Sequence, residues 1–235
     1  MQINGAHVLV TGANRGLGRQ FVLSLLDRGA AKVYATARRP ELVDVPGAVP
    51  LRLDVTDRAS IADAVAAAPD VDILVNNAGI STGANLVGGD RDLIRREMDT
   101  HFFGTLDVIR AFAPQLADGA IVNVLSAISW LAFDGAGAYH AAKAAEWALT
   151  NSVRLELAAQ RTLVTGVHLG AADTDMMAWY EGDKAAPEVI VAAALDGVEQ
   201  HRSEVLADEW SRQVKAWLAE APEVIYREAA AALAG

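Results

Sequence analysis

The sequence predicts an α/β fold: one doubly wound parallel sheet of about seven strands with helices on both faces. Three observations predict it. Short apolar runs alternate with longer segments of helical spacing along most of the chain. The runs are almost wholly apolar, as strands buried on both faces must be. No composition shift or low-complexity linker marks a second domain, so residues 1–235 read as a single domain.

The first run, residues 7–11 (HVLVT), ends at Gly12, and residues 16–28 follow with helical spacing through Leu17, Phe21, Leu25 and Leu26. The unit recurs at 32–37, 49–55, 71–75, 120–125 and 163–168, with helical candidates after most of these runs. Ala-rich helices, apolar on more than one face, are expected over 101–117 and 139–159. Residues 171–187 (AADTDMMAWYEGDKAAP) fit neither period and read as a lid or substrate loop. Residues 202–208 supply a last strand, and 209–233 one or two helices with Trp210, Val214, Trp217 and Leu218 on one face.

Composition narrows the function. With 30 acidic against 20 basic side chains, the net charge of −10 argues against nucleic acid or an anionic membrane as the main partner. The absence of cysteine removes disulfides, thiolate chemistry and metal sites that need sulfur, and no metal site is read elsewhere. No apolar run reaches the roughly 18 residues of a membrane span, and Met1-Gln2-Ile3-Asn4 does not open a signal peptide, so a soluble, cytoplasmic protein is expected.

The loop Thr11-Gly12-Ala13-Asn14-Arg15-Gly16-Leu17-Gly18 stands after the first strand and opens the first helix. Glycines there allow positive φ and close backbone approach, and free N–H groups at a helix N-terminus hold an anion, so the loop reads as a dinucleotide phosphate site. Its spacing, G-x-x-x-G-x-G, differs from G-x-G-x-x-G. The second strand ends in Ala37-Arg38-Arg39 with no acid for a ribose 2′-hydroxyl. Arg15, Arg38 and Arg39 instead suit a 2′-phosphate, which points to NADP(H).

Tyr139 and Lys143 are four residues apart at the start of a helical segment and share one face. Ser126 closes the strand before it, at the carboxyl edge of the sheet where open α/β folds bind ligands. Hydride transfer to a carbonyl leaves an alkoxide that needs a proton. A phenol of pKa about 10 is a poor partner near neutrality. A nearby ammonium such as Lys143 favours tyrosinate and is expected to lower the phenol by about three units, making Tyr139 acid in reduction and base in oxidation, while a serine hydroxyl can hold the substrate oxygen.

With Leu53-Asp54-Val55 after the third strand and Asn76-Asn77-Ala78-Gly79 after the fourth, the chain resembles the short-chain dehydrogenase/reductase family in its short, single-domain, Rossmann-like branch. The likeness runs from residue 3 to about 208. It implies that Asp54 and Val55 contact adenine, that Asn77, Ala78 and Gly79 pass along the cofactor, and that Lys143 binds the nicotinamide ribose. Tyr139 lies against the same cofactor, and pairing through the 101–117 and 139–159 helices gives a homodimer or homotetramer.

Two departures stand out. The family places an Asn in an Asn-x-x-Gly context where this chain has His101-Phe102-Phe103-Gly104. Two readings remain open: His101 is a functional substitute in the proton path, or a structural histidine with that path lost. The family's Pro-Gly after the sixth strand is Leu169-Gly170 here, with Gly170 and Thr174 placed to meet the nicotinamide and phosphates. Ala127, Ile128, Trp130, Leu131, Phe133, Met176, Met177, Trp179 and Tyr180 are the candidate pocket walls, which suits an apolar or aromatic ketone, aldehyde or secondary alcohol. The function expected is that of an NADP(H)-dependent carbonyl reductase or alcohol dehydrogenase. The alternative is a catalytically weak NADP(H)-binding sensor of the same fold.

Overall fold

Strands β1 (His7–Val10), β2 (Lys32–Ala37), β3 (Val49–Arg52), β4 (Ile73–Asn76), β5 (Ala120–Val124), β6 (Leu163–His168) and β7 (Glu204–Leu206) form one wholly parallel sheet in a computed structural model that describes residues 1–234. Gly235 lies outside the described residues. The strand order is β3-β2-β1-β4-β5-β6-β7, so the winding reverses between β1 and β4, and a crevice opens there beyond the carboxyl ends. Pro50 costs nothing in β3 because that strand is an edge, paired only with β2.

The helices are α1 (Gly16–Asp27), α2 (Arg58–Ala67), α3 (Arg91–Met98), α4 (Thr105–Phe112), α5 (Gly137–Glu156), α6 (Pro187–Glu199), α7 (Glu209–Trp217) and α8 (Pro222–Ala234). Alternate residues of each strand serve opposite layers. Val8 and Val10 join Phe21, Leu25, Ile190 and Leu195 under α1 and α6, while Leu9 joins Val108, Phe112, Leu149 and Val153 under α4 and α5. Burial on both faces is why the strands read as continuous apolar runs. Phe21 and Phe112, both fully buried, anchor the two layers, and truncating either to Ala would cost about 3–5 kcal/mol.

Several boundaries differ from the sequence reading, among them β7, which keeps only Glu204–Leu206 of the expected 202–208, and α5, which runs Gly137–Glu156 instead of 139–159. β3 stops at Arg52 because Asp54 turns the chain, its carboxylate accepting from the Thr56 N–H and hydroxyl. β4 begins two residues later than expected and runs on through Asn76. The helix expected from 101 begins at Arg91 and continues through one π-wound turn, Asp99–Gly104, into α4. The terminal segment divides into two helices, α7 under an Asp208–Ser211 capping box and α8 starting at Pro222, where a proline is tolerated. In the 171–187 segment, the order consists of a 3₁₀ turn at Asp175–Met177 and a single bridge from Ala172 to Ala185.

Candidate active site

The glycine loop is shaped by steric need. Gly12 has φ +66°, and a Cβ there would stand 2.9 Å from the Ala78 Cα. A Cβ on Gly18 would drive into the Gly12 carbonyl, so α1 packs this close only with a glycine at that position. Asn77 fastens the loop to β4: its Nδ2 donates to the Thr11 carbonyl at 2.9 Å, and the Thr11 hydroxyl accepts from the Asn77 and Ala78 N–H groups. No side chain caps the first turn of α1, which leaves its N–H groups open to an anion. Leu17 and Asn14 are half-buried around this turn.

Arg38 and Arg39 are exposed, and among the described residues neither pairs with a carboxylate. Arg15 is also exposed, with one long contact of 3.5 Å to Asp175. Three guanidiniums thus edge the crevice beside an uncapped helix. This donor set fits a dinucleotide carrying an extra phosphate. Asp54 and Val55 lie just beyond β3, Asp54 held by its Asx turn and Val55 buried.

α5 is registered on the sheet by a buried polar ladder. The Asn76 amide donates to Asn123 at 2.8 Å, Asn123 to the Thr150 hydroxyl at 2.9 Å, and Thr150 back to the Glu146 carbonyl at 2.8 Å. Lys143 then reaches the end of β5, donating to the Val124 carbonyl at 2.8 Å, two residues before Ser126. The Ser126 hydroxyl donates to the Leu169 carbonyl and accepts from the Ile128 N–H, both at 3.2 Å. Next to Tyr139, the His140 ring donates to the Ile128 carbonyl and ties the start of α5 to the segment after Ser126. Ser126, Tyr139 and Lys143 therefore gather at the carboxyl end of β5.

Burial pushes the Tyr139 phenol above its usual pKa, and the attraction of the Lys143 ammonium, 5.8 Å from the ring centre, does not reverse this. The lowering expected from Lys143 is thus not what the structure gives: loss of water around the phenol outweighs the ammonium's pull, and Tyr139 stays protonated. Burial opposes the Lys143 charge, but the Glu146 carboxylate at 2.8 Å outweighs it and holds the ammonium above its ordinary range.

Sequence reasoning missed two residues beside these. Glu97 on α3 and Glu146 on α5 are 0% and 2% exposed, and His101, 1% exposed, lies between them. His101 Nε2 is 3.4 Å from Glu97 Oε2, and Nδ1 is 3.7 Å from Glu146 Oε2. The available signals were spacings: Glu97 is four residues before His101, and Glu146 three after Lys143.

The expected pocket walls separate. Trp130 stacks on His168 with ring centres 3.7 Å apart, and with Ala127, Leu131 and Phe133 it packs on α7 and α8. Ile128 is half-buried in the same stretch. Phe133 also faces a cavity of about 700 Å³ that includes Thr82, Leu86, Val87, Asp134 and Gly137. In the 171–187 segment, Thr174 lies against Gly16, close enough that a Cβ on that glycine would be 3.3 Å from the threonine methyl. Trp179 is 74% exposed with Tyr180 edge-on to it, Met176 is exposed, and Met177 is half-buried. Gly170 donates its N–H to Asp208 at 2.6 Å, and Trp210 crowds it.

Comparison with known proteins places this geometry. The sequence profile of the short chain dehydrogenase family matches residues 6–184. A short chain dehydrogenase from Burkholderia cenocepacia J2315, solved in complex with NADP, superposes with a TM-score of 0.93 at 36% identity, covering 97% of this chain and 98% of that one. The NADPH-dependent 1-acyldihydroxyacetone phosphate reductase of Schizosaccharomyces pombe is 35% identical over 71% of this chain, which spans 60% of that enzyme's length. Carbonyl reductase [NADPH] 2 of Sus scrofa is 30% identical over 72% of each protein. A seven-stranded parallel sheet reversing beside a glycine loop, and a family profile running from β1 into the segment after β6, agree: the chain belongs to the short-chain dehydrogenase/reductase family.

Proposed function

We propose that this protein is an NADP(H)-dependent oxidoreductase that moves hydride between nicotinamide and a ketone or aldehyde, or the corresponding secondary alcohol. The observation that carries the reading is the placement of Ser126 and Lys143 at the end of β5, with the Tyr139 ring 5.8 Å from the Lys143 ammonium, at the same carboxyl edge of the sheet as the glycine loop.

NADP(H) would be held by Gly12, Asn14, Arg15, Gly16, Leu17 and Gly18 at its pyrophosphate and by Arg38 and Arg39 at its 2′-phosphate. Asp54 and Val55 would meet adenine, Asn77, Ala78 and Gly79 the body of the cofactor, Tyr139 and Lys143 the ribose side, and Gly170 and Thr174 the nicotinamide end. When bound, the nicotinamide supplies or accepts the hydride. The protein's own residues handle the oxygen. Ser126 turns its hydroxyl from the Leu169 carbonyl to the substrate oxygen, and Tyr139 gives its phenolic proton to that oxygen in reduction, or takes one in oxidation. Lys143 stabilises the tyrosinate that reduction leaves.

The cavity beside Phe133, Leu86 and Val87 favours a substrate with an apolar arm. Exposed Phe103, in the π turn, and Leu155 on α5 support self-association as a homodimer or homotetramer. NADPH oxidation against a panel of aromatic and aliphatic carbonyls tests the whole reading. Turnover with at least one, lost in Tyr139→Phe, is expected. Cofactor binding without turnover across the panel would favour the sensor.

A further inference from the structure

The catalytic lysine of this site does not stand alone. Its ammonium is one end of a buried row, Lys143–Glu146–His101–Glu97, that joins α5 to α3 across the π turn. Glu97 accepts from the Thr82 N–H through Oε1, while its Oε2 faces only the imidazole. The charged and titratable groups packed around His101 are Glu97 from α3 and Tyr139, Lys143 and Glu146 from α5. Two carboxyl groups taken out of water so completely need cations or protons, and Lys143 answers for only one.

The orientation of the imidazole says where the second proton sits. Nε2 lies 2.8 Å from the Ile80 carbonyl, the shorter of its two contacts with that residue, so Nε2 carries hydrogen and donates to it. In a neutral ring, Nδ1 would then aim a lone pair at Glu146 Oε2, 3.7 Å away, and Nδ1 has no hydrogen-bond partner among the described residues. A proton on Nδ1 turns that opposition into attraction. The electrostatics run the same way. Burial and the Lys143 charge push the imidazole down, but Glu146 and Glu97 together outweigh them and raise it above its ordinary value.

We propose that Glu97, His101 and Glu146 form a buried proton relay with Lys143, in which an imidazolium at His101 is the reserve that restores the proton Tyr139 gives up in each reduction. The inference rests on the reductase reading above. The protons balance. Tyr139 loses one to the substrate oxygen, Lys143 passes one to the tyrosinate, and His101 Nδ1 passes one through Glu146 Oε2 to Lys143. His101 is left neutral and regains its proton from solvent, so each reduction takes up one solvent proton. Glu146 Oε2 touches both neighbours, at 2.8 Å to Lys143 and 3.7 Å to His101, and the longer gap needs to shorten by about 1 Å to become a charge-assisted hydrogen bond. Glu97 touches no reacting atom and is a positioning residue, as is the Ile80 carbonyl.

Two measurements test this. Histidine-resolved NMR titration of the wild-type protein, with no substrate required, reads the charge of His101. A midpoint above 6.5 is expected, moving down by about one unit or more in Glu146→Gln. A midpoint at or below 6.5 would overturn the proposal.

The second is rapid mixing of NADPH-loaded enzyme with carbonyl substrate. His101→Gln keeps a donor for the Ile80 carbonyl but cannot store a proton. It should complete a first turnover at near the wild-type rate, then run at a steady state about tenfold or more slower. Equal steady-state rates and pH profiles in His101→Gln and wild type would also overturn the relay. A wild-type protein that oxidises no NADPH with any carbonyl would instead strike out the reductase reading and the relay's purpose together, while the NMR titration would still report whether the buried imidazolium exists.

Discussion

The imidazole of His101 stands edge-on to the phenol of Tyr139, with ring centres 5.3 Å apart at an interplanar angle of 77°. The residue at the position where the family resemblance implies an asparagine thus touches the candidate acid directly, and its ring also packs against Gly79. Substitutions on any of these three residues should be felt by the others.

Tyr139→Phe removes the phenolic proton and little else. Reduction should slow by about a hundredfold or more, with substrate KM changed far less than kcat. Steady-state kinetics on the best carbonyl of the panel decides this; a variant keeping more than a few per cent of kcat would remove Tyr139 from its role.

Arg38→Leu takes one guanidinium from an exposed pair that no carboxylate of the described chain neutralises. A charge-assisted hydrogen bond contributes about 1.5–3 kcal/mol, so NADPH affinity should fall about ten- to a hundredfold while NADH affinity stays nearly unchanged. An unaltered NADPH-to-NADH ratio of kcat/KM would contradict the assignment.

Gly79→Ala would set a Cβ 2.6 Å from His101 Cε1. The imidazole is locked between two helices and cannot swing clear, so a destabilisation of about 1–3 kcal/mol is expected. In a His101→Asn background the same alanine has room, and the penalty should shrink by about 1 kcal/mol. Urea unfolding of the four proteins gives the coupling, and strict additivity within about 0.5 kcal/mol would mean the two positions do not meet.

His168 makes stability sensitive to acid. Burial holds its imidazole down to about 4, under the stacked Trp130. An unfolded histidine binds its proton near 6.5, so between these values the unfolded chain carries more protons and stability falls as pH falls. At pH 5 the loss relative to neutral pH is about 2 kcal/mol. His168→Gln should flatten unfolding free energy against pH across this window; a variant with the wild-type slope would assign the acid sensitivity elsewhere.

The strands were legible because burial on both faces leaves its mark on consecutive residues, as in Ala120–Val124. Tyr139 and Lys143 were legible because helical spacing puts them on one face before any packing is known. Glu97 was not. In the run Arg-Arg-Glu-Met-Asp it reads as one more solvated charge, and only the packing of α3 on α5 takes it out of water. Glu146 is similar: the sequence around it is Ala-rich helix, and its burial comes from the Asn76–Asn123–Thr150 ladder that sets how deep α5 lies. Trp130 read as a pocket wall because its partner, His168, is far away in sequence and their stacking belongs to tertiary structure.

The π turn at Asp99–Gly104 gives the long helix one residue more than α-helical winding would use there. A π turn absorbs its extra residue by widening locally, each residue turning less than the roughly 100° of an α-helix, so the faces of α3 and α4 keep their phase across it. Deleting one residue on the α4 side of His101 would restore α winding and still leave Glu97 and His101 four apart on one face, whereas a deletion between Glu97 and His101 would break that spacing. In this protein the alignment of the buried charges is a matter of counting along the backbone, and the same one-residue deletion should be far more damaging before His101 than after it.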